Sequence, residues 1–520
     1  MALINEEFML TKTEQKKYIM AIDQGTTGST VILLDRAGSL ASKATVDYKQ
    51  IYPQPVWVEH NPEVIWQSVE SAALQCLKKI EASSNEILTI GITNQRETVV
   101  AFKKSTGETL HNAIVWQCRR TSRMCDQLKK KWAKKIKSKT GLVLDPYFSA
   151  TKMRWLIENI KPVQQALKEN DLAFGTIDTF LMWKLSGHKI FATEVSNASR
   201  TMLMNLKTCS WDVELLKLFK VKSHCLPEIK SSSGFFGKTC GHSFIAEGTP
   251  ITGVAGDQQA ALFGQTCFSE GESKCTFGTG SFILMNTGHK ILKSKAGCLT
   301  TVAWRLNNSK TQYALEGGAF ICGAAVAWLR DGLGLIAQSS DIEALAQQVA
   351  TTAGVEFVPA LTGLGAPHWN ANARGEITGL TRGTSKAHIA RATLEAIALQ
   401  NADILLAMQR DLKRDLKRDL KKKQKKKIKK IRVDGGAAAN NLLMQLQSDY
   451  LQTAVDRPKQ IETTAIGAAY LAGLGIGHWK SFTEIKKIWK IEREFKPLQN
   501  LAEVNKRKIS WNKAVKKALR

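Results

Sequence analysis

The sequence predicts an α/β protein built from two duplicated domains, and three observations carry this prediction. The chain has 520 residues, more than a single hydrophobic core usually organises. Two loops rich in glycine and threonine lie far apart, at residues 21–30 (AIDQGTTGST) and 276–282 (TFGTGSF). Each loop follows or lies within a strand-like apolar run. Each half of the chain therefore opens with the same strand–loop–strand unit, which indicates two α/β domains that face one another.

The composition is that of an ordinary globular protein. Hydrophobic residues make up 43% and charged residues 23% of the chain, which leaves enough apolar residues for a core in each domain. No run is long and apolar enough to span a membrane, and residues 1–17 lack the apolar stretch of a signal peptide. The ten cysteines lack paired spacing, which indicates reduced thiols. We expect a cytoplasmic protein with an N-terminal tail at residues 1–17.

The formal net charge of +28 at pH 7 raises the question of nucleic-acid binding. The lysines are spread widely, with a dense cluster at residues 410–430, and no zinc-finger or RNA-recognition signature accompanies them. We therefore expect a basic solvated surface and no nucleic-acid partner. Within residues 410–430 the pattern RDLK occurs three times in tandem. This predicts a charged helical insertion, with a solvated lysine-rich end.

The first loop joins two predicted strands, residues 18–23 and 31–35, and so forms a hairpin with a glycine-rich tip. Glycine lets the backbone approach a ligand closely, and N–H groups and hydroxyls donate hydrogen bonds to phosphate oxygens. The loop lacks the lysine of a Walker motif. Two such loops, one in each half, indicate one nucleotide held in a cleft between the domains.

Further elements follow in chain order. We predict a helix at residues 63–79 and a strand at 87–92 that ends in polar residues. A second strand–loop–strand is expected from residue 251, which places Asp257 at a strand end. The domain boundary is expected near residues 264–272, giving domains at 18–264 and 265–520.

Two glycine-rich segments mark the end of the chain. Residues 431–441 predict a strand that runs through a diglycine turn into a helix, with Asn440 in its first turns. A helix N-terminus after bare glycines suits a nucleotide. Residues 462–473 are rich in small residues and predict a tightly packed helix, either at a hinge or in plain close packing.

Six segments, taken in order, resemble the glycerol kinases of the FGGY carbohydrate kinase family. They are residues 22–27 (IDQGTT), 91–98 (GITNQRET), 113–120 (AIVWQCRR), 140–149 (TGLVLDPYFS), 256–264 (GDQQAALFG) and 433–436 (VDGG). The resemblance covers nearly the whole chain from residue 18. It implies an actin-like, ribonuclease H-like fold in two domains with the active site in the cleft between them. It also implies phosphorylation of glycerol to sn-glycerol 3-phosphate by ATP and Mg²⁺, and a homo-oligomer, either dimer or tetramer.

The polyol site that the resemblance implies begins with adjacent Arg96 and Glu97. One donates and the other accepts hydrogen bonds, so together they can clamp hydroxyls; a surface ion pair is the alternative. Asp257 is expected to be the catalytic base, with a helix N-cap as the alternative. The full set of implied glycerol contacts is Arg96, Glu97, Trp116, Tyr147, Asp257, Gln258 and Phe282. Trp116 and Phe282 would form the apolar wall, although an aromatic residue is more often part of the core.

The resemblance also implies a nucleotide site and a metal site. The implied nucleotide contacts are Thr26, Thr27, Gly28, Thr279, Gly323, Gly436 and Asn440. Asp23 is expected to hold Mg²⁺ through water.

The chain departs from the family pattern at three places. Thr30 replaces a frequent arginine and Ala327 a frequent glutamine, and both changes bear on the affinity for ATP. Some bacterial members bind fructose 1,6-bisphosphate through a glycine-rich loop that contains an arginine. The matching residues 241–249 contain no arginine, and Glu247 would repel phosphate. We expect weak or absent inhibition by this sugar bisphosphate.

Two other functions compete with the phosphorylation of glycerol. The first is a kinase of the same family that acts on another polyol or sugar. The second is a non-catalytic actin-like scaffold that binds ATP, since a fold alone does not fix an activity.

Overall fold

The structure is a computed structural model that describes residues 16–307, 309–370, 372–418 and 430–520. Most of the predicted tail, residues 1–15, and residues 419–429 of the predicted basic insertion lie outside the described residues. The described strands are, in chain order, β1 (Tyr18–Gln24), β2 (Gly28–Asp35), β3 (Leu40–Asp47), β4 (Glu59–His60), β5 (Ile87–Asn94), β6 (Val100–Lys103), β7 (Ala113–Ile114), β8 (Leu172–Gly175), β9 (Ala192–Glu194), β10 (Met204–Asn205), β11 (Ser210–Trp211), β12 (Glu228–Lys230), β13 (Ser233–Lys238), β14 (Pro250–Gly256), β15 (Ser273–Phe277), β16 (Ser281–Gly288), β17 (Leu299–Trp304), β18 (Gln312–Ala319), β19 (Glu356–Val358), β20 (Glu376–Thr378), β21 (Ile431–Asp434), β22 (Val455–Pro458) and β23 (Ile491–Phe495).

The α-helices connect and cover these strands. They are α1 (Pro62–Lys78), α2 (Ser122–Thr140), α3 (Ser149–Asn159), α4 (Lys161–Lys168), α5 (Ile177–Leu185), α6 (Val195–Ser199), α7 (Val213–Leu218), α8 (Asp257–Gly264), α9 (Gly323–Asp331), α10 (Asp341–Gln347), α11 (Lys386–Arg418), α12 (Asn441–Leu451), α13 (Thr463–Gly475), α14 (Phe482–Ile488) and α15 (Leu501–Ala518). Within the described ranges, none of the helices combines the length and the apolar character that crossing a lipid bilayer requires.

The chain forms two compact units, and both are discontinuous in sequence. Unit 1 contains the described residues up to Thr266 together with Thr301–Tyr313 and Thr463–Ile488. Unit 2 contains Cys267–Thr300, the described residues from Ala314 to Glu462, and Trp489–Arg520. The predicted domains, residues 18–264 and 265–520, are each one continuous stretch of sequence, and this division stays a prediction.

Unit 1 is built on a six-stranded mixed sheet in the order β13-β14-β5-β1-β2-β3. Strands β1 and β2 pair antiparallel, from Tyr18 opposite Asp35 to Gln24 opposite Ser29, and confirm the predicted hairpin. Strand β5 runs parallel to both β1 and β14. The helix predicted at residues 63–79 is α1, which begins at Pro62 after Asn61. The Asn61 side chain caps it by accepting a hydrogen bond from the Glu63 N–H, as a good N-cap does.

Unit 2 contains a seven-stranded sheet in the order β17-β18-β16-β15-β21-β22-β23. Its hairpin β15–β16 is antiparallel, and β15, β21 and β22 run parallel in succession. The last strand, β23, is antiparallel to β22. A hairpin, two parallel neighbours and an antiparallel edge strand therefore occur in the same order as in unit 1, which confirms the predicted duplication.

The strand–loop–strand predicted from residue 251 is wrong. Strand β14 ends at Gly256 and helix α8 follows directly, because the next residues, DQQAALFG, include good helix formers. The helix predicted at residues 462–473 is α13, and it packs closely against α8. A Cβ atom at Gly467 would lie 1.9 Å from the carbonyl oxygen of Ala260.

The predicted charged helix is present up to Arg418 as the end of α11. Its first acidic residue is not solvated, since Asp411 is 5% exposed. The Asp411 carboxylate accepts hydrogen bonds from the Lys295 N–H at 3.0 Å and from Arg414 Nη2 at 2.8 Å. All ten cysteines are free thiols, as predicted, and all but Cys240 are buried.

Candidate active site

Arg96 and Glu97 lie in a tight turn that follows the carboxyl end of strand β5. The Thr98 N–H donates to the Arg96 carbonyl at 2.8 Å. Glu97 has a φ of +64°, which is uncommon for a residue with a side chain and costs on the order of 1–3 kcal/mol. Arg96 is 2% and Glu97 1% exposed. The alternative of a surface ion pair is therefore wrong.

Arg96 lies closer to the carboxylate of Asp257 than to that of its neighbour. Arg96 Nε lies 2.9 Å from Asp257 Oδ1 but 3.9 Å from Glu97 Oε1. Arg96 Nη1 also donates to Gln259 Oε1 at 3.3 Å. The Asp257 side chain keeps 31% of its surface exposed. The ion pair thus fixes an accessible carboxylate beside the predicted polyol clamp.

Asp257 is the first residue of α8, and Gly256 occupies the N-cap position. The alternative role of Asp257 as an N-cap is therefore wrong. A Cβ atom at residue 256 would lie 2.7 Å from both Cγ and Cδ of Arg96. Glycine is thus required for Arg96 to pass beside this backbone. The next side chain, Gln258, is buried and its N–H donates to Asp257 Oδ1 at 2.7 Å.

Two half-buried aromatic residues contact each other, and one of them, Trp116, contacts the first hairpin loop. The rings of Trp116 and Tyr147 meet edge to face with their centroids 5.5 Å apart. Trp116 Nε1 donates to Thr26 Oγ1 at 2.9 Å. The Tyr147 N–H donates to Asp145 Oδ1 at 2.9 Å. The structure therefore places a predicted polyol contact, Trp116, against a predicted nucleotide contact, Thr26.

Polar side chains, one buried and two half-buried, hold the first hairpin loop on one side. The Tyr48 hydroxyl donates to the Gly25 carbonyl at 2.6 Å, and Gln95 Nε2 donates to the same carbonyl at 3.1 Å. Gln50 Nε2 donates to the Thr26 carbonyl at 2.7 Å. Thr27 at the tip is exposed. The loop carbonyls are thus occupied from one side, and this fixes the conformation of the loop.

Asp23 lies in β1 next to this loop, opposite Thr30 on β2 and Thr93 on β5. Within the described part of the chain no group of three or more histidine, cysteine or acidic side chains could hold a metal ion. A single half-buried carboxylate still fits Mg²⁺, which keeps several waters and is bound through few carboxylates plus substrate phosphates. Thr30, the residue that replaces the frequent arginine of the family, places its Oγ1 2.9 Å from Thr45 Oγ1.

In unit 2, the tip of the β15–β16 hairpin and the start of α9 meet. Thr279 is exposed at the hairpin tip, and its carbonyl accepts from the Cys322 N–H at 2.9 Å. The Gly323 N–H donates to the Gly278 carbonyl at 2.9 Å, and a Cβ at Gly323 would lie 2.8 Å from that oxygen. Glycine at residue 323 therefore lets the start of α9 lie directly against this hairpin tip, and the approach of the loop to phosphate oxygens stays a prediction.

The other predicted contacts of unit 2 follow β21 and β15. Gly435 has a φ of +85°, and a Cβ there would lie 2.6 Å from the Phe277 carbonyl. Gly436 has open space around it and is exposed. Asn440 is the N-cap of α12 and accepts from the Leu443 N–H at 2.8 Å, so its prediction inside the helix is off by one position. The half-buried Phe282 ring lies against Gly318.

The sequence analysis missed the buried groups behind the site. Arg200 Nε donates to Glu97 Oε1 at 2.6 Å, and Gly256 N–H donates to Ser196 Oγ at 3.1 Å. Ser196 and Arg200 belong to a short polar segment whose composition is typical of a surface loop. An unusual density of small polar residues at 193–201 (TEVSNASRT) is the one signal that the sequence offers.

The chain matches the models of both domains of one protein family. Residues 18–264 match the FGGY family of carbohydrate kinases, N-terminal domain, and residues 273–476 match its C-terminal domain. A glycerol kinase of Bdellovibrio bacteriovorus is 58% identical over 96% of this chain and 99% of its own length. A glycerol kinase of Burkholderia cenocepacia is 49% identical over 97% of this chain and 98% of its own length.

A solved structure shows the same architecture. The crystal structure of Plasmodium falciparum glycerol kinase with ADP is 35% identical, with a TM-score of 0.88, and the match covers 97% of this chain and 98% of that chain. These matches and the duplicated sheets confirm the actin-like, two-domain fold that the resemblance implies. The chain belongs to the FGGY family of carbohydrate kinases.

Proposed function

We propose that this protein transfers the terminal phosphate of ATP to glycerol, giving sn-glycerol 3-phosphate and ADP. The observation that carries the proposal is the contact between Arg96 and Asp257, 2.9 Å apart, beside the buried Glu97. An arginine donor and a carboxylate acceptor suit a small molecule that consists almost entirely of hydroxyl groups. The named relatives at 58% and 49% identity are glycerol kinases, which supports glycerol over another polyol or sugar.

Each side chain has a proposed part in binding glycerol. Arg96 donates and Glu97 accepts hydrogen bonds with hydroxyl groups, and Gln258 adds a further polar contact. Trp116 and Phe282 cover the carbon edge, where apolar contact costs no hydrogen bond, and Tyr147 is a further glycerol contact. A scaffold without catalytic activity would not require these groups.

Asp257 acts as the general base in this proposal. Its carboxylate takes the proton of a terminal hydroxyl while that oxygen attacks the γ-phosphorus of ATP in line. The new oxygen–phosphorus bond forms as the bond to the β–γ bridging oxygen breaks, and ADP leaves. The ion pair with Arg96 keeps the carboxylate in position for this transfer.

The nucleotide contacts are proposed from the two hairpins. Thr26, Thr27, Gly28 and Thr279 bind phosphate oxygens through N–H groups and hydroxyls, and Gly323, Gly436 and Asn440 contact the nucleotide. Asp23 holds Mg²⁺ through water, and the bound ion spreads the negative charge of the phosphates. The cytoplasmic location and the homo-oligomeric assembly also remain proposals.

The first test replaces Asp257 with asparagine, which keeps the shape of the side chain and removes the base. We expect kcat for glycerol-dependent ADP release to fall by about 10²–10⁴-fold, while ATP binding is retained. The matched control is Asp126→Asn, an exposed residue of α2, which should leave the rate unchanged. ADP release by the unmodified enzyme that does not depend on glycerol would refute glycerol as the acceptor.

A further inference from the structure

The segment from Glu194 to Thr201 is largely polar, yet none of its residues is more than 2% exposed. It contains the N-cap Glu194, the short helix α6 and Arg200. Buried polar groups are costly unless they are paired. The hydrogen bonds of this segment therefore lead to other buried groups, and those of four residues, Ser196, Asn197, Ser199 and Arg200, lead towards the candidate active site.

The strongest of these contacts joins Arg200 to Glu97. Arg200 is fully buried, and its Nε donates to Glu97 Oε1 at 2.6 Å. The same guanidinium lies 5.1 Å from the ring centroid of Phe148 and 5.6 Å from that of Tyr147. A charge-assisted hydrogen bond and two ring contacts fix a guanidinium in one plane. Arg200 thus fixes the carboxylate of Glu97 and also lies against the ring of Tyr147, a proposed glycerol contact.

Ser196 and Asn197 hold the strands that carry the clamp. Ser196 Oγ accepts from the Gly256 N–H at 3.1 Å and donates to Glu194 Oε2 at 2.5 Å. The Asn197 side chain exchanges two hydrogen bonds with that of Asn94, at 3.0 and 3.1 Å. One contact fixes the residue before Asp257, and the other fixes the end of β5 just before Arg96.

Ser199 reaches Arg96 through two intermediates. Ser199 Oγ lies 2.8 Å from Thr301 Oγ1. Gln259 Nε2 donates to Thr301 Oγ1 at 3.4 Å, and Gln259 Oε1 accepts from Arg96 Nη1 at 3.3 Å. The segment is therefore linked to Arg96 through Thr301 and Gln259, whereas its Arg200 contacts Glu97 directly.

We propose that Arg200 is a positioning residue that fixes the Glu97 carboxylate and thereby sets the preference of the enzyme for glycerol over diols that lack one hydroxyl. The proposal rests on the proposed phosphorylation of glycerol. A carboxylate with one fixed orientation accepts a hydrogen bond from a substrate hydroxyl at one position only. A loosely held carboxylate accepts hydrogen bonds from water and from a hydroxyl equally well.

The test is a double-mutant cycle between Arg200→Lys and Glu97→Gln. Lysine keeps the charge and loses the planar donor that reaches Glu97 and the rings. For each protein, kcat/KM is measured with glycerol, propane-1,2-diol and propane-1,3-diol. We expect Arg200→Lys to lower kcat/KM for glycerol about tenfold more than for at least one diol. In the Glu97→Gln background the same change should leave the selectivity unaltered.

A merely structural role gives a different result. If Arg200→Lys lowers kcat/KM equally for glycerol and both diols, or if its effect on selectivity persists in the Glu97→Gln background, the proposal is overturned. The matched control is Arg154→Lys, since Arg154 Nε makes a similar 2.9 Å contact with Glu158 one turn along the same helix. Neither Arg154 nor Glu158 is a proposed substrate contact. That variant should keep the selectivity of the unmodified enzyme.

Two further comparisons distinguish a failure of this proposal from a folding defect and from a failure of the proposed function. Should Arg200→Lys alone not fold, Arg200→Gln is made in the Glu97→Gln background, where the Glu97 charge is absent. Selectivity equal to that of Glu97→Gln alone supports the proposal, and a further change overturns it. If the unmodified enzyme does not phosphorylate glycerol, the proposed function fails; if it does and the cycle is additive, only the role of Arg200 fails.

Discussion

At the scale of single residues, burial keeps His60 neutral behind the first hairpin loop. Burial lowers the pKa of His60 to about 4. Its Nδ1 lies 3.3 Å from Gln95 Nε2, which can only donate, and its Nε2 contacts Gln50 Oε1. A neutral imidazole with its proton on Nε2 satisfies both contacts. A second proton would place two donors against each other.

This arrangement predicts a loss of stability in acid. The ordinary pKa of histidine is about 6.5. Between about pH 6.5 and pH 4, residue 60 is therefore protonated in the unfolded chain and neutral in the folded protein. The stabilisation from neutral His60 is complete above about pH 6.5 and is lost as the pH falls towards 4. We expect the drop in Tm between about pH 7 and pH 5 to be smaller in His60→Gln than in the unmodified protein.

Another buried group titrates in the opposite sense and serves as the internal reference. Burial raises the pKa of Glu194 to about 7, so its contribution to stability is lost as the pH rises from about 4.5 towards 7. Glu194 is present in both proteins and cancels in the comparison. An identical drop in Tm for His60→Gln and the unmodified protein would show that His60 does not titrate as described.

At the scale of elements, the contact between α13 and α8 positions the start of α8, where Asp257 lies. Gly467 in α13 meets the backbone of Ala260 in α8. A Cβ at Gly264, at the other end of α8, would lie 2.0 Å from the Thr463 carbonyl. Small residues at both positions let the two helix backbones touch.

Gly467→Ala should therefore disturb both stability and activity. The added methyl group has no space beside the Ala260 carbonyl, so α8 has to move, and overpacking of this kind costs about 1–3 kcal/mol or more. We expect a lower midpoint of urea unfolding and a lower kcat, since Asp257 moves with α8. The control is Gly383→Ala, at an exposed glycine with no close neighbour. Unchanged values for Gly467→Ala would mean that the helices separate without consequence for Asp257.

The elements also show what the sequence can and cannot predict. Both glycine-threonine hairpins, α1 and α13 follow from local patterns of apolar, small and turn-forming residues. The strand predicted after Gly256 is wrong because a short apolar run after a strand does not distinguish strand from helix. The contact of Arg96 with Asp257 and that of Arg200 with Glu97 join distant segments. No spacing in the chain records them, so only the folded structure reveals them.

At the scale of the whole molecule, both units repeat one sheet pattern, but regulation can depend on a single loop. The described residues 241–249 form a turn in which the His242 and Ile245 backbones pair. Gly241 has a φ of +88°, and the loop contains Glu247 and no arginine. A sugar bisphosphate needs cationic donors, and a carboxylate repels it.

We therefore expect fructose 1,6-bisphosphate at physiological concentrations to leave the rate of glycerol phosphorylation unchanged. Initial rates with and without the sugar bisphosphate measure this at constant ionic strength, with inorganic sulfate as the control for nonspecific anion effects. Glu247→Gln removes the local negative charge and should not by itself create inhibition, since no arginine is gained. Strong inhibition of the unmodified enzyme would contradict the prediction.

The discontinuity of unit 1 has a consequence for the order in which a ribosome releases the chain. Helices α13 and α14, in Thr463–Ile488, belong to unit 1, and α13 packs its buried face on the strands and helix that carry Arg96 and Asp257. Translation proceeds from the N-terminus, so nearly all of unit 2 is synthesised before unit 1 can close its core. The first unit of the nascent chain therefore keeps an apolar face exposed until α13, which follows most of unit 2 in the sequence, has been synthesised.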